Sequence, residues 1–151
     1  MTEYLVDPAD FTPEALAKIA PACGEGCEPG GVALASGAVV YPHRPDLAGK
    51  WLWRCRCGAY CGTHPNLFAV GTPAGAATRR AREEAHAAFD PLWRRRAEIS
   101  GLKPNVARGR GYKWLAQQLG ITTKECHIGL MNAAMANRVG EICYGLRSQG
   151  R

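Results

Sequence analysis

The cysteines could do the most specific chemistry in this chain, and four of them fall into two close pairs. Cys23 and Cys27 are separated by three residues and Cys55 and Cys57 by one, with 27 residues between the pairs. A short turn between two cysteines lets both thiolates reach one ion, and a structural zinc ion takes four such ligands in a tetrahedron. The pattern therefore predicts one structural Zn²⁺ held by these four side chains.

Two further side chains compete for a place in this site. Cys61 follows Cys57 by four positions, and His64 lies three residues beyond it. Either could replace one of the four cysteines. The alternative is that Cys61 is a small buried apolar residue and that His64 caps a turn before Pro65, and we favour this interpretation for both. Four sulfur ligands leave no open position for water, so the zinc is expected to be structural rather than catalytic.

The cysteine count and the absence of targeting signals favour a reducing compartment. The chain has seven cysteines, and no basic-then-apolar leader follows Met1. No run of about 18 apolar residues is present, so we expect no membrane span. Cysteine pairs in cytosolic proteins more often bind metal than form disulfides, so a cytoplasmic zinc protein is expected.

Strand signals lie between the two cysteine pairs and would bring them together. Residues 32–41 predict two strands broken at Ser36-Gly37, and residues 50–55 predict another strand with its tryptophans on alternate positions. A hairpin built from these strands places one cysteine pair beside the other. This arrangement is typical of a zinc ribbon.

The helical half follows a change of composition around residues 71–75. Residues 76–99 show helical periodicity, although Pro91 predicts a kink or a new helix start. We expect a flexible basic loop over 100–111, a short helix over 112–119 and a final helix over 132–146.

The overall organisation expected is α+β, with a small zinc-ribbon-like β module followed by a helical module of three to four helices. The predicted parts are an N-terminal helical segment over 1–21, the zinc-ribbon-like module over 22–70 and a basic helical module over 76–148. In the first part, Thr12 and Pro13 are a typical helix start.

The net charge of +6 is concentrated in one segment. Between residues 79 and 113 there are ten basic and four acidic residues, whereas nine of each cancel elsewhere. Such an excess is expected on a surface that meets phosphates, and a solvated helix face is the alternative. Tyr112 and Trp114 could stack on bases or pack in the core. The residues expected to contact nucleic acid are Arg79, Arg80, Arg94, Arg95, Arg96, Arg108, Arg110 and Lys113.

An enzymatic function is the weakest of the options, and no catalytic residue is predicted. His64, His86, Asp90 and His127 supply reactive groups, but no motif pairs them at a spacing known for general-base or two-metal chemistry. Asp90 is interpreted as a helix cap before Pro91. The sequence does not decide whether the protein is an enzyme, and it favours a non-enzymatic function.

Four motifs in order carry a resemblance to a known family. They are Trp53–Pro65, Ala85–Trp93, Tyr112–Ala116 and Glu125–Gly129. Together they resemble a family of zinc-finger-containing domains of unknown function found largely in bacteriophages and prophages, over roughly residues 22–145. The resemblance implies two cysteine pairs as the zinc ligands, matching Cys23/Cys27 and Cys55/Cys57, and it brings no established activity.

Two functions follow from these observations. The first is a zinc-binding phage-type accessory protein that contacts nucleic acid through the basic segment at 79–113. The alternative is an adaptor or inhibitor that binds a host or phage protein, such as a host enzyme or defence system, with the zinc purely structural.

Overall fold

A three-stranded antiparallel sheet positions the cysteine-rich part of the chain. The computed structural model describes residues 3–149, with side chains as far as residue 146. The strands are β1 (Val32–Ser36), β2 (Trp51–Cys55) and β3 (Tyr60–Cys61), in the order β1-β2-β3. Val32 faces Cys55 across the first pair of strands, so β1 starts at the end of β2 that carries the cysteines.

The N-terminal helix forms as its capping residues predict. Helix α1 (Pro13–Ile19) begins with proline at its first position, and the Thr12 side chain accepts a hydrogen bond from the Ala15 backbone N–H at 3.1 Å. A 3₁₀ turn over Pro8–Asp10 precedes it.

The prediction of a second strand after Ser36 is wrong. The chain instead forms the short helix α2 (Gly37–Val40), followed by a 3₁₀ turn over Pro45–Leu47. The Gly37 backbone N–H donates to the Lys50 carbonyl at 2.7 Å, and a Cβ at Gly37 would overlap the Leu47 carbonyl. This close approach turns the chain back towards β2.

Trp53 and Leu67 form the centre of the small core beneath the sheet. Both are almost completely buried, and the Trp53 indole N–H donates to the Leu67 carbonyl at 2.9 Å. Leu67 has a φ of 74°, which is unfavourable for a leucine. Its burial and the indole hydrogen bond hold this conformation in place.

The C-terminal half is helical, and its first two helices differ from the sequence prediction. Helix α3 (Ala76–Ser100) continues through Pro91, and α4 (Pro104–Leu119) covers most of the predicted flexible loop. The loop prediction is wrong because Pro104 starts a helix whose buried residues recur at helical spacing. A 3₁₀ turn over Ile128–Leu130 leads to α5 (Ala133–Gln149).

The helices enclose a larger core than the sheet does. The chain divides into two units between Ala76 and Ala77, each with its own internal packing. The core of the second unit contains Phe89, Leu115, Ile128 and Val139, all fully buried. The α+β prediction is therefore confirmed. No helix within residues 3–149 has the length and apolarity that crossing a membrane requires.

Candidate metal centre

The four predicted cysteines come together at one end of the sheet. The sulfur atoms of Cys23, Cys27, Cys55 and Cys57 all lie within 4.8 Å of one another. The Sγ atoms of Cys23 and Cys57 are 3.8 Å apart. A Zn–S bond of about 2.3 Å gives a tetrahedron with an edge of about 3.8 Å, so this spacing suits zinc. The four cysteines fit one structural zinc ion, as predicted.

Glycines shape the turn that carries the first cysteine pair. The Gly26 backbone N–H donates to the Cys23 carbonyl at 3.1 Å, and Gly26 has a φ of 83°, which favours glycine. The Glu25 backbone N–H points at the Cys23 sulfur at 3.4 Å. Such a donor stabilises a thiolate, so the turn is prepared to hold a metal ligand.

Two hydrogen bonds fix this turn to a distant part of the chain, and the sequence pattern does not predict them. The Gly24 backbone N–H donates to the Pro73 carbonyl at 2.8 Å, and the Glu25 carboxylate accepts from the Gly75 N–H at 3.2 Å. The only local signal was the Cys-Gly-Glu-Gly-Cys composition, which does not identify the partners 50 residues away.

The second cysteine pair lies where β2 ends. The Cys55 backbone N–H donates to the Ala59 carbonyl at 2.8 Å, and the Gly58 N–H donates to the Cys55 carbonyl at 2.9 Å. Gly58 has a φ of 96°, so the turn requires glycine here. Cys55 is buried and Cys57 is exposed, so the site has one side in the protein and one side at the surface.

The crowding of four sulfurs opposes ionisation when no cation is present. Hydrogen bonds with Cys57, Cys23 and Cys55, in that order, raise the pKa of Cys27 to about 12. A divalent ion reverses this preference, because it stabilises each thiolate that it binds. The donor set is therefore suited to a cation and unsuited to carrying four negative charges alone.

The two competing side chains do not join this cluster. Cys61 lies in β3 opposite Trp53, and the group of four sulfurs excludes it. His64 is exposed, and its backbone N–H donates to the Phe68 carbonyl at 2.8 Å. Its backbone therefore closes the 64–68 turn.

The residues predicted to contact nucleic acid lie on α3 and α4. Arg79 is half-buried and Arg80 is exposed near the start of α3. The remaining six are all exposed, on the last turns of α3 and along α4: Arg94, Arg95, Arg96, Arg108, Arg110 and Lys113.

Several neighbouring polar and aromatic residues are structural. The Arg82 guanidinium donates to the Met131 carbonyl at 2.7 Å, so it ties α3 to the segment before α5. Tyr112 is buried, in the core position that was the alternative to base stacking. The Arg108 guanidinium lies 5.2 Å from the centre of its ring.

The capping role predicted for Asp90 is wrong, because Pro91 lies inside α3. The Asp90 carboxylate instead accepts from the Trp93 indole N–H at 3.0 Å and lies 3.3 Å from Nδ1 of His86. Both interactions link successive turns of one helix.

Comparison with known proteins agrees with the metal site. The sequence profile of one family, described as a zinc-finger-containing domain, matches residues 18–144. No curated protein and no solved structure matches the chain.

Proposed function

The chain belongs to the family of zinc-finger-containing domains, and on this premise we propose that it is a nucleic-acid-binding accessory protein. In this proposal zinc holds the N-terminal unit together, and the exposed cations of α3 and α4 contact phosphates. We also propose that the protein acts in the cytoplasm and that it is of bacteriophage or prophage type, as the motif resemblance implies.

The two units carry net charges of opposite sign, which supports separate roles for them. The unit that ends at Ala76 contains five basic and seven acidic residues, a net charge of −2. The unit that begins at Ala77 contains fourteen basic and six acidic residues, a net charge of +8. A polyanion is therefore attracted to the helical unit and weakly repelled by the zinc unit.

The observation that carries the proposal is the unneutralised charge of α4. This helix contains Arg108, Arg110 and Lys113 and has no acidic residue. Among the described side chains, neither Arg110 nor Lys113 makes an ion pair. The spacing of three residues places these two cations on one face of the helix, where they can contact successive phosphates.

Salt dependence tests the proposal directly. We expect labelled duplex DNA or RNA to bind with an affinity that falls about 10³-fold between 50 and 200 mM salt, for some six phosphate contacts. Fluorescence anisotropy at several salt concentrations gives the slope. Absence of binding to both DNA and RNA, or binding that does not respond to salt, would contradict the proposal.

A charge-matched pair of variants localises the contact. Replacing Arg94, Arg95 and Arg96 with glutamine is expected to reduce the slope of log affinity against log salt by about 2 to 3. The control likewise replaces three exposed cations of the zinc unit with glutamine, namely Lys50, Arg54 and Arg56. It is expected to leave the slope near its original value. Equal losses in both variants would mean that net charge alone drives the binding.

The alternative of a protein-binding adaptor or inhibitor is favoured by one feature of the zinc unit. Leu5, Phe68 and Val70 are 79%, 51% and 49% exposed. Leu5 lies next to the 64–68 turn, because its backbone N–H donates to the Pro65 carbonyl at 3.0 Å. Exposed apolar residues on adjacent segments are typical of a protein contact. A partner that survives nuclease treatment, and is lost in Phe68→Ser, would support this function.

A further inference from the structure

A pocket in the helical unit combines aromatic rings with two arginines. Its volume is about 430 Å³, within the ~300–1,000 Å³ of small-ligand sites. We call it the aromatic pocket. Its walls come from α3 and α4 and from one residue of α5, and include Phe89, Trp93, Trp114, Leu146, Arg96 and Arg110.

Two features hold the pocket in a defined shape. The Trp93 indole N–H donates to Asp90 at 3.0 Å, which fixes the ring on α3. A Cβ at Gly111 would lie 3.1 Å from Phe89 Cζ and 3.2 Å from Trp93 Cβ. Glycine at this position therefore lets α4 approach α3 closely, and the rings stay in place without a ligand. A preformed pocket loses little entropy on binding.

The charges around the pocket restrict what it can hold. Arg96 and Arg110 are both exposed, and within the described part of the chain neither pairs with a carboxylate. None of the described side chains that line the pocket is acidic. Its occupant must therefore present an apolar or flat group together with negative charge. An unpaired nucleobase attached to its phosphates has both properties, and every base has a π-face for stacking on an aromatic ring.

We propose that the aromatic pocket binds an unpaired nucleobase, with Arg96 and Arg110 on the phosphates beside it, and that the preferred ligand is single-stranded nucleic acid. This inference rests on the proposed function and specifies its substrate. A base inside a duplex is stacked and paired, and it reaches such a pocket only after the cost of flipping it out. Lys113, which is exposed and follows Arg110 by three positions on α4, extends the positive surface for the strand.

A strand that carries 2-aminopurine tests the pocket, because stacking quenches the fluorescence of this base. The wild-type protein should bind the strand more tightly than a duplex of equal length and should quench its fluorescence. Trp114→Leu should weaken binding to the strand about five-fold or more and abolish the quenching, with duplex affinity unchanged. Leu146→Glu provides a second variant, because this residue is 44% exposed and its replacement puts negative charge at the pocket without disturbing the core.

A charge-matched comparison separates the pocket from general attraction. Arg96→Gln with Arg110→Gln should weaken single-strand binding more than duplex binding. Arg80→Gln with Arg95→Gln removes the same charge outside the pocket and should weaken both alike. Equal binding of strand and duplex, unchanged by Trp114→Leu and Leu146→Glu, would overturn this inference and leave the proposed function standing. Failure to bind any nucleic acid would overturn both, as would a preference for an aspartate-rich peptide with an aromatic residue.

Discussion

Replacing Cys27 with serine removes one zinc ligand with little effect on packing, because this side chain is exposed. We expect the variant to lose its zinc and, with it, the fold of the unit that ends at Ala76. The unit that begins at Ala77 should stay folded, because its core of Phe89, Leu115 and Val139 is separate. Cys61→Ser is the matched control, since Cys61 lies outside the sulfur cluster.

The expected magnitude follows from comparing the contribution of zinc with that of the apolar core in the same unit. The three largest apolar side chains buried within residues 3–76 are Leu52, Trp53 and Leu67. At about 1.5–3 kcal/mol for each, their burial contributes roughly 5–9 kcal/mol. A structural zinc ion contributes about 10–16 kcal/mol at neutral pH. Zinc is therefore expected to contribute more than the burial of these three side chains, so its loss should unfold the unit.

Zinc content and hydrogen exchange measure the effect. The wild-type chain and Cys61→Ser should each contain one equivalent of zinc, and Cys27→Ser should contain none. Removing zinc with a chelator should abolish protection of the amides in β1 and β2 while those of α4 keep theirs. Unchanged protection in β1 and β2 after zinc removal, or one bound zinc in Cys27→Ser, would refute the reasoning.

Three other predictions concern glycine packing and a buried phenol. Gly37→Ala should prevent folding of the zinc unit, because its Cβ overlaps a backbone carbonyl, whereas Gly49→Ala has open space and should leave the melting temperature nearly unchanged. Gly109→Ala should raise the free energy of unfolding in urea by about 0.5–1 kcal/mol, because alanine favours the helix and its Cβ meets no neighbour. Gly111→Ala should raise it by less, because its Cβ would lie 3.1–3.2 Å from Phe89 and Trp93. Burial raises the pKa of Tyr112 above 10.0, so the unfolded chain loses this proton first and the stability of the helical unit should fall as pH rises past that value. Tyr112→Phe should show a smaller fall, and an identical pH dependence would contradict this explanation.

The sequence was sufficient for the features that depend on local chemistry. The zinc prediction needed only the cysteines and the short spacing within each of the two pairs. The start of α1 likewise follows from Thr12 and Pro13, whose capping geometry involves only its own first turn. The hydrogen bonds from Gly24 and Glu25 to the 73–75 segment could not be predicted. Nothing in the residue types of the turn or of that segment identifies one as the partner of the other.

The prediction of a basic loop is wrong because one of its glycines is required for close packing against another helix. Arg108-Gly109-Arg110-Gly111 has the composition of a flexible segment, but Gly111 is small because α4 packs closely against Phe89 and Trp93. The correction changes what the cations can do. A flexible loop would hold Arg110 at no fixed distance from any ring, whereas the helix places it one turn from Trp114 in the same pocket. A fixed distance between the Arg110 charge and the Trp114 ring would let the protein distinguish a single strand from a duplex. A mobile cluster of positive charge would not make this distinction.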